Sequence, residues 1–130
     1  MAKNEIISPY FENGVFAGVR VTLGDEDFVI APKDYQNGKE MTWLEAMTAL
    51  KNDGLDTWNY CQICLTMAYR KEVDKVLVDN GGDSLDNWYW TCAEYSAYYS
   101  FTYYGGYGRL DSNRKKGTYS VRPVLALAKS

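Results

Sequence analysis

After Asn13-Gly14, Val15, Ala17, Val19, Val21 and Leu23 alternate with Phe16, Gly18, Arg20 and Thr22. This is the two-residue period of a half-buried strand entered from a tight turn. Gly24-Asp25-Glu26-Asp27 turns the chain, Phe28-Val29-Ile30-Ala31 carries it back and Pro32 stops it, so the pattern predicts an N-terminal hairpin. The period then lengthens. Thr42-Trp43-Leu44-Glu45 has the form of a capping box, and Ala46, Met47 and Leu50 then face inward on a first helix ending about Lys51. A second, longer helix is predicted from about Trp58. Ile63, Met67, Arg70, Val73 (or Asp74) and Leu77 keep helical spacing, Arg70-Lys71-Glu72 and Asp74-Lys75 form a wet side, and Gly81-Gly82 suit the C-terminus. From Trp88 the chain reads as short extended pieces parted by Gly105-Gly106 and Lys116-Gly117. Trp88, Trp90 and Cys92 share a face of the first piece; in the next, Tyr98 and Tyr104 face opposite to Tyr99, Phe101 and Tyr103. A strand aromatic on both faces can bury one against its own core, and a short chain has little to cover the other, so one face is expected to meet solvent.

Composition narrows the class. A chain of 130 residues without a low-complexity break suits one domain, residues 1–130, around one core. A hydrophobic share of 46% and a charged share of 24% are ordinary for a globular protein. No apolar run approaches the roughly 20 residues that span a bilayer, which argues against a membrane span. The start, Met1 to Pro9, lacks the apolar core of a secretory signal, so no export address is expected. The anomaly is aromatic: of 12 tyrosines, Tyr89, Tyr95, Tyr98, Tyr99, Tyr103, Tyr104, Tyr107 and Tyr119 all fall in the C-terminal third.

Other chemistry is weakly represented. Cys61, Cys64 and Cys92 are an odd set, expected to be free thiols in the core. Cys61-x-x-Cys64 lies inside the predicted long helix, and with no histidine and one further cysteine the chain cannot assemble a thiol–imidazole zinc site, so no metal and no cofactor are expected. Lack of histidine also removes Ser-His-Asp and Cys-His systems. Asp25 with Asp27, Asp83 with Asp86, and Glu94 with Asp111 remain as carboxylate pairs for glycoside hydrolysis. Turn solvation and capping account better for the first two, and Glu94 is expected to accept from backbone or lysine. Arg109, Arg114, Lys115, Lys116 and Arg122 form a basic cluster beside tyrosines, as in single-stranded nucleic-acid binders. The formal net charge of -3 weighs against a nucleic-acid partner.

Trp88-Tyr89-Trp90-Thr91-Cys92-Ala93-Glu94-Tyr95-Ser96, the tyrosine-, serine- and asparagine-rich stretch after it, Lys115 and Val121-Arg122-Pro123-Val124-Leu125-Ala126 together resemble a known family. It is that of the variable proteins of diversity-generating retroelements of phages and gut bacteria, which have a C-type-lectin-type fold. There the segment reads Tyr-Trp-Ser-Ser-Thr-Glu, then variable residues, then Val-Arg-Pro-Val. Met41-Thr42-Trp43-Leu44-Glu45-Ala46-Met47 and Asp79-Asn80-Gly81-Gly82 extend the resemblance from about residue 28 to the end. The family's adenine-directed diversification excludes Gln, Lys, Glu, Met and Trp, and from Tyr95 to Ser120 only Lys115 and Lys116 belong to that set. Thr91-Cys92-Ala93 departs from the usual Ser-Ser-Thr, and the Arg-Leu-Pro step common before the long helix is missing.

The expectation is therefore an α+β domain of C-type-lectin type: an N-terminal hairpin, two helices, and C-terminal antiparallel strands with long loops. The resemblance implies a non-catalytic ligand- or receptor-binding protein, with a variable region of about residues 89–120 and a place on a phage particle or bacterial surface. Tyrosine presents a large rigid amphipathic surface with two torsions to fix, and serine, glycine and asparagine add adaptable hydrogen bonds, the mixture of antibody binding loops. The eight tyrosines named above are the candidate anchors. Arg109, Asp111, Asn113 and Arg114 are candidate polar selectors, while Trp88, Trp90, Glu94, Gly108, Arg122 and Pro123 would be scaffold. The partner would be a protein or cell-surface ligand, with oligomeric state left open. The other reading is an assembly domain whose aromatic face is covered by a neighbouring subunit.

Overall fold

A computed structural model describes residues 6–127. Asn13 and Gly14 take positive φ, 53° and 78°, the pair a two-residue hairpin turn needs, and join β1 (Ile7–Glu12) antiparallel to β2 (Val15–Leu23). A second turn joins β2 to β3 (Glu26–Ile30), so the N-terminal unit is a three-stranded meander where the sequence predicts one hairpin. The alternation of β2 holds only in part. Val19 and Val21 are fully buried, but the pairing slips from Tyr10–Gly18 to Phe11–Phe16, leaving Ala17 as an extra residue. Beyond this bulge Phe16 packs on the core and Val15 is 68% exposed. Gly18 makes the kink possible: its φ is 139°, and a Cβ there would stand 2.2 Å from the Ile30 carbonyl oxygen.

The capping box at Thr42 forms as read: Glu45 N–H donates to Thr42 Oγ1 (3.3 Å) and Thr42 N–H to Glu45 Oε1 (2.9 Å), opening α1 (Trp43–Asn52). That backbone donor holds the Glu45 carboxyl below the ordinary carboxylate range. The predicted long helix is two. A second capping box, Asn59 with Gln62, opens α2 (Tyr60–Ala68), and Tyr69, at φ −117° and ψ 25°, separates it from α3 (Arg70–Asp79). α3 ends as Gly81-Gly82 suggests. Gly81 takes φ 85°, its N–H donates to the Val78 carbonyl, and Gly82 N–H donates to Leu77 at 2.8 Å, both bonds of a Schellman stop.

The chain then forms β4 (Trp88–Glu94), β5 (Tyr99–Tyr104) and β6 (Arg109–Arg114), antiparallel in that order. β7 (Val124–Ala126) returns to pair with β3, closing a first sheet of order β1-β2-β3-β7. The fold is thus mixed α+β, with two antiparallel sheets and three helices among the described residues. Two cores flank β4. Tyr89 points into the larger one with Phe28, Trp58, Leu77 and Tyr103, and its neighbour Trp90 into a smaller one with Met41, Ala46, Leu50 and Val121. Both parities of β4 are buried at Tyr89 and Trp90, so Trp90 belongs to a sealed face while Trp88 and Cys92 are half-buried.

Arg122 is fully buried. Its Nε donates to Asp34 Oδ1 at 2.9 Å, its Nη1 to the Ala31 and Asp83 carbonyls, and its Nη2 to Ser84 O and Tyr89 Oη. Tyr89 Oη itself donates to Asp34 Oδ1 at 2.7 Å. A buried charge is tolerable only when paired and hydrogen-bonded, and this one pins the residue 31–34 and 83–84 loops to β4. Arg122 therefore acts as scaffold and takes no part in a surface basic cluster.

Candidate functional site

The second sheet sorts the eight tyrosines by environment. Tyr95, Tyr98 and Tyr107 are 64%, 77% and 77% exposed. Tyr99, Tyr104 and Tyr119 are half-buried. Tyr89 and Tyr103 are fully buried, which corrects their assignment as anchors. Both rings lie against Trp58, at centroid distances of 5.7 and 5.4 Å, where no ligand can reach them. Burial pushes both hydroxyls above the ordinary phenol range. Tyr89 satisfies its hydroxyl on Asp34 and Arg122, whereas Tyr103 Oη is sealed without a hydrogen-bond partner among the described residues.

The exposed and half-buried rings gather in groups. Phe101 makes edge contact with Tyr95 (5.5 Å) and a tilted contact with Tyr60 on α2 (5.6 Å). Trp88 stacks on Tyr104 (5.0 Å, 22°), and Tyr104 touches Tyr107 (5.2 Å), so Trp88 joins the aromatic face in addition to its scaffold place. Tyr119 stands edge-on to Trp90 at 5.0 Å and packs on the smaller core, which makes it a wall more than an anchor. Of the polar selectors, Arg109 is exposed and 3.8 Å from Asp111. Asn113 Nδ2 donates to Thr102 Oγ1 (2.6 Å), and exposed Arg114 donates through Nε to Tyr99 Oη (3.3 Å).

A cleft of ≈ 720 Å³ opens where β5 begins, β6 ends and α1 begins. Tyr98, Tyr99 and Arg114 line it as candidate site residues, Lys116 lines it as a member of the basic cluster read from the sequence, and Trp43 and Leu44 line it although the sequence reading named neither as a site residue. A signal existed for Leu44, which lies off the inward stripe of α1 and is 69% exposed. Lys115 Nζ is 2.6 Å from Glu94 Oε1 and 4.4 Å from the Trp43 ring centroid, and the Trp43 indole N–H donates to Thr91 O at 2.9 Å. Glu94 accepts from a lysine, as expected.

The cysteines depart from their reading as core. Cys61 and Cys64 are exposed, because at a spacing of three they share the outer face of α2 while Gln62, Ile63 and Thr66 take the buried one. Only Cys92 is partly buried, its thiol pushed up to about 11, chiefly by burial. The carboxylate pairs have local partners: Arg20 holds Asp27 at 2.8 Å, Lys33 lies 3.4 Å from Asp83, and Ser84 donates to Asp86. Among the described residues no three His, Cys, Asp or Glu side chains come together to hold a metal ion, and no helix is long and apolar enough to cross a membrane. No model of a known protein family matches the chain, and no curated protein matches it.

Proposed function

We propose that the chain is a non-catalytic recognition domain of C-type-lectin type, a variable protein of the retroelement-diversified kind, whose second sheet and adjoining loops bind a protein or cell-surface ligand. The observation that carries this is the exposure of Tyr95, Tyr98 and Tyr107 in the connections at the ends of strands whose Tyr89 and Tyr103 are locked inside. Rings left largely in water at the edge of a sheet contribute little to folding there and are available as interface anchors. Lys115 adds support. It belongs to the residue types that adenine-directed diversification cannot write, and it is the lysine fixed to Glu94 and the Trp43 ring.

The reading is tested by randomising positions 95, 98, 107, 109 and 114 together and displaying the library. Most members are expected to melt within a few degrees of the parent, because exposed substitutions cost about 0.5 kcal/mol or less. Selection against unrelated purified proteins is then expected to yield binders. General loss of folding, or a parent chain that is an obligate oligomer covering these positions, would move the reading to an assembly role. Diversification itself predicts a near-copy of codons 89–120, differing at adenines, beside a reverse transcriptase gene.

A further inference from the structure

We propose that the cleft between α1 and the β5–β6 sheet takes an acidic, apolar peptide segment of a partner protein, in which carboxylates flank an aliphatic or aromatic side chain. This rests on reading the sheet as a recognition surface and names its ligand chemistry. Three cationic residues, Arg114, Lys115 and Lys116, line the cleft, but they are not equivalent. Lys115 is 18% exposed and spent on Glu94. Arg114 and Lys116 are exposed, and among the described residues neither has a carboxylate within ion-pair distance. The helix start adds little attraction, since Glu45 already caps α1. The open positive charge of the cleft is thus carried by these two side chains, on a chain of formal net charge -3.

The rest of the lining sets the body of the ligand. Leu44, 69% exposed, and Tyr98, 77% exposed, present apolar surface on the walls, and Trp43 lines the cleft half-buried, with Lys115 over its ring. A purely ionic ligand would leave that surface wet, and a purely apolar one would leave both cations without partners. An aliphatic wall such as Leu44 offers little to a nucleobase or to sugar hydroxyls, and two open cations do not make a phosphate track. An apolar side chain between carboxylates satisfies both halves.

The test uses the full chain labelled with ¹⁵N and follows the Trp43 indole N–H, whose position is fixed by its bond to Thr91. The probes are acetyl-Glu-Phe-Glu-amide, its Gln-Phe-Gln twin and its Glu-Gly-Glu twin. The first is expected to shift the Trp43 resonance saturably, and each twin to bind about fivefold more weakly, since an exposed charge pair or a lost apolar contact is worth on the order of 1 kcal/mol. The double variant Arg114→Gln, Lys116→Gln should erase the preference for the acidic probe, and Leu44→Ser should weaken both phenylalanine peptides; all three side chains are exposed, so folding is retained. Equal binding of the Gln twin overturns the acidic assignment while leaving the recognition surface standing. A silent Trp43 with every peptide, or a stronger shift with an oligothymidylate or a sulfated disaccharide, overturns the peptide assignment outright. Failure of the recognition reading shows elsewhere, in library members that do not fold or in an obligate oligomer.

Discussion

Tyr103 and Tyr107 are separated by one glycine-rich turn, yet the first is sealed in the core and the second is 77% exposed. The same residue type does opposite work in the two places. Inside, Tyr89 and Tyr103 close around Trp58 in the core; outside, Tyr95, Tyr98 and Tyr107 meet solvent and are the proposed contact surface. The difference teaches that a tyrosine-rich stretch is not one functional unit, because Trp58 claims the inward members before any ligand can.

The sharpest way to break the comparison is to cut the inner set. Tyr103→Ala is expected to cost about 3–5 kcal/mol in a denaturant titration, the usual price of a large core truncation. Asp34→Ala, which leaves the buried Arg122 guanidinium without its carboxylate, belongs in the same range of about 3–5 kcal/mol. Removing single hydroxyls sharpens the contrast within the core. Tyr89→Phe should destabilise by about 1–3 kcal/mol by stripping a partner from Asp34 and Arg122, whereas Tyr103→Phe should be neutral or stabilising, because its hydroxyl has no partner to lose. Equal effects of these two would undo the distinction. Tyr98→Ala and Tyr107→Ala should each shift stability by no more than about 0.5 kcal/mol.

The thiols repeat the contrast on a smaller scale. In the native state a disulfide reagent should titrate Cys61 and Cys64 quickly and Cys92 slowly until denaturant is added. The raised thiol of Cys92, about 11, also fixes a sign. The unfolded chain ionises first, so the stability this group contributes is complete below the ordinary thiol range and is lost as pH climbs towards 11. A falling denaturation midpoint over that alkaline window, with a shallower slope in Cys92→Ala, is the expected result. Tyr89 and Tyr103 add loss of the same sign at higher pH.

What the sequence made legible was local. The Asn13-Gly14 turn, the Thr42–Glu45 capping box and the Gly81-Gly82 stop depend on residues within a few positions of each other, and each forms where it was read. What it hid depends on distant partners. The bulge at Ala17 is a slip in the pairing of β2 with β1, and the burial of Tyr89 and Tyr103 is set by their packing on Trp58. Strand alternation says which residues share a face, never which face is covered. Arg122 was read both as scaffold and as part of a basic cluster, and only the closure of Asp34 around it decides. The break at Tyr69 carries no glycine or proline signal, while the cap at Asn59 and Gln62 was readable and went unread. Of the cleft, the tyrosines and Arg114 were visible in the sequence and Leu44 was legible as an outward position of α1, but that Trp43 and Leu44 would meet the sheet was not, because α1 is brought to it only by the fold.

The Glu94–Lys115 pair stands immediately before and immediately after the stretch 95–114. Trp43 N–H donates to the Lys115 carbonyl, and Lys115 N–H to that of Tyr98, so the chain leaves the stretch fastened beside the point where it entered. A segment whose ends are already held together gives up little further loop-closure entropy when its exposed positions are ordered on a ligand. Between the two ends of the clasp the exposed positions 95, 98, 107 and 109 are thereby open to exchange, while Ser100, Thr102 and Tyr103, buried in the same stretch, hold it to the frame.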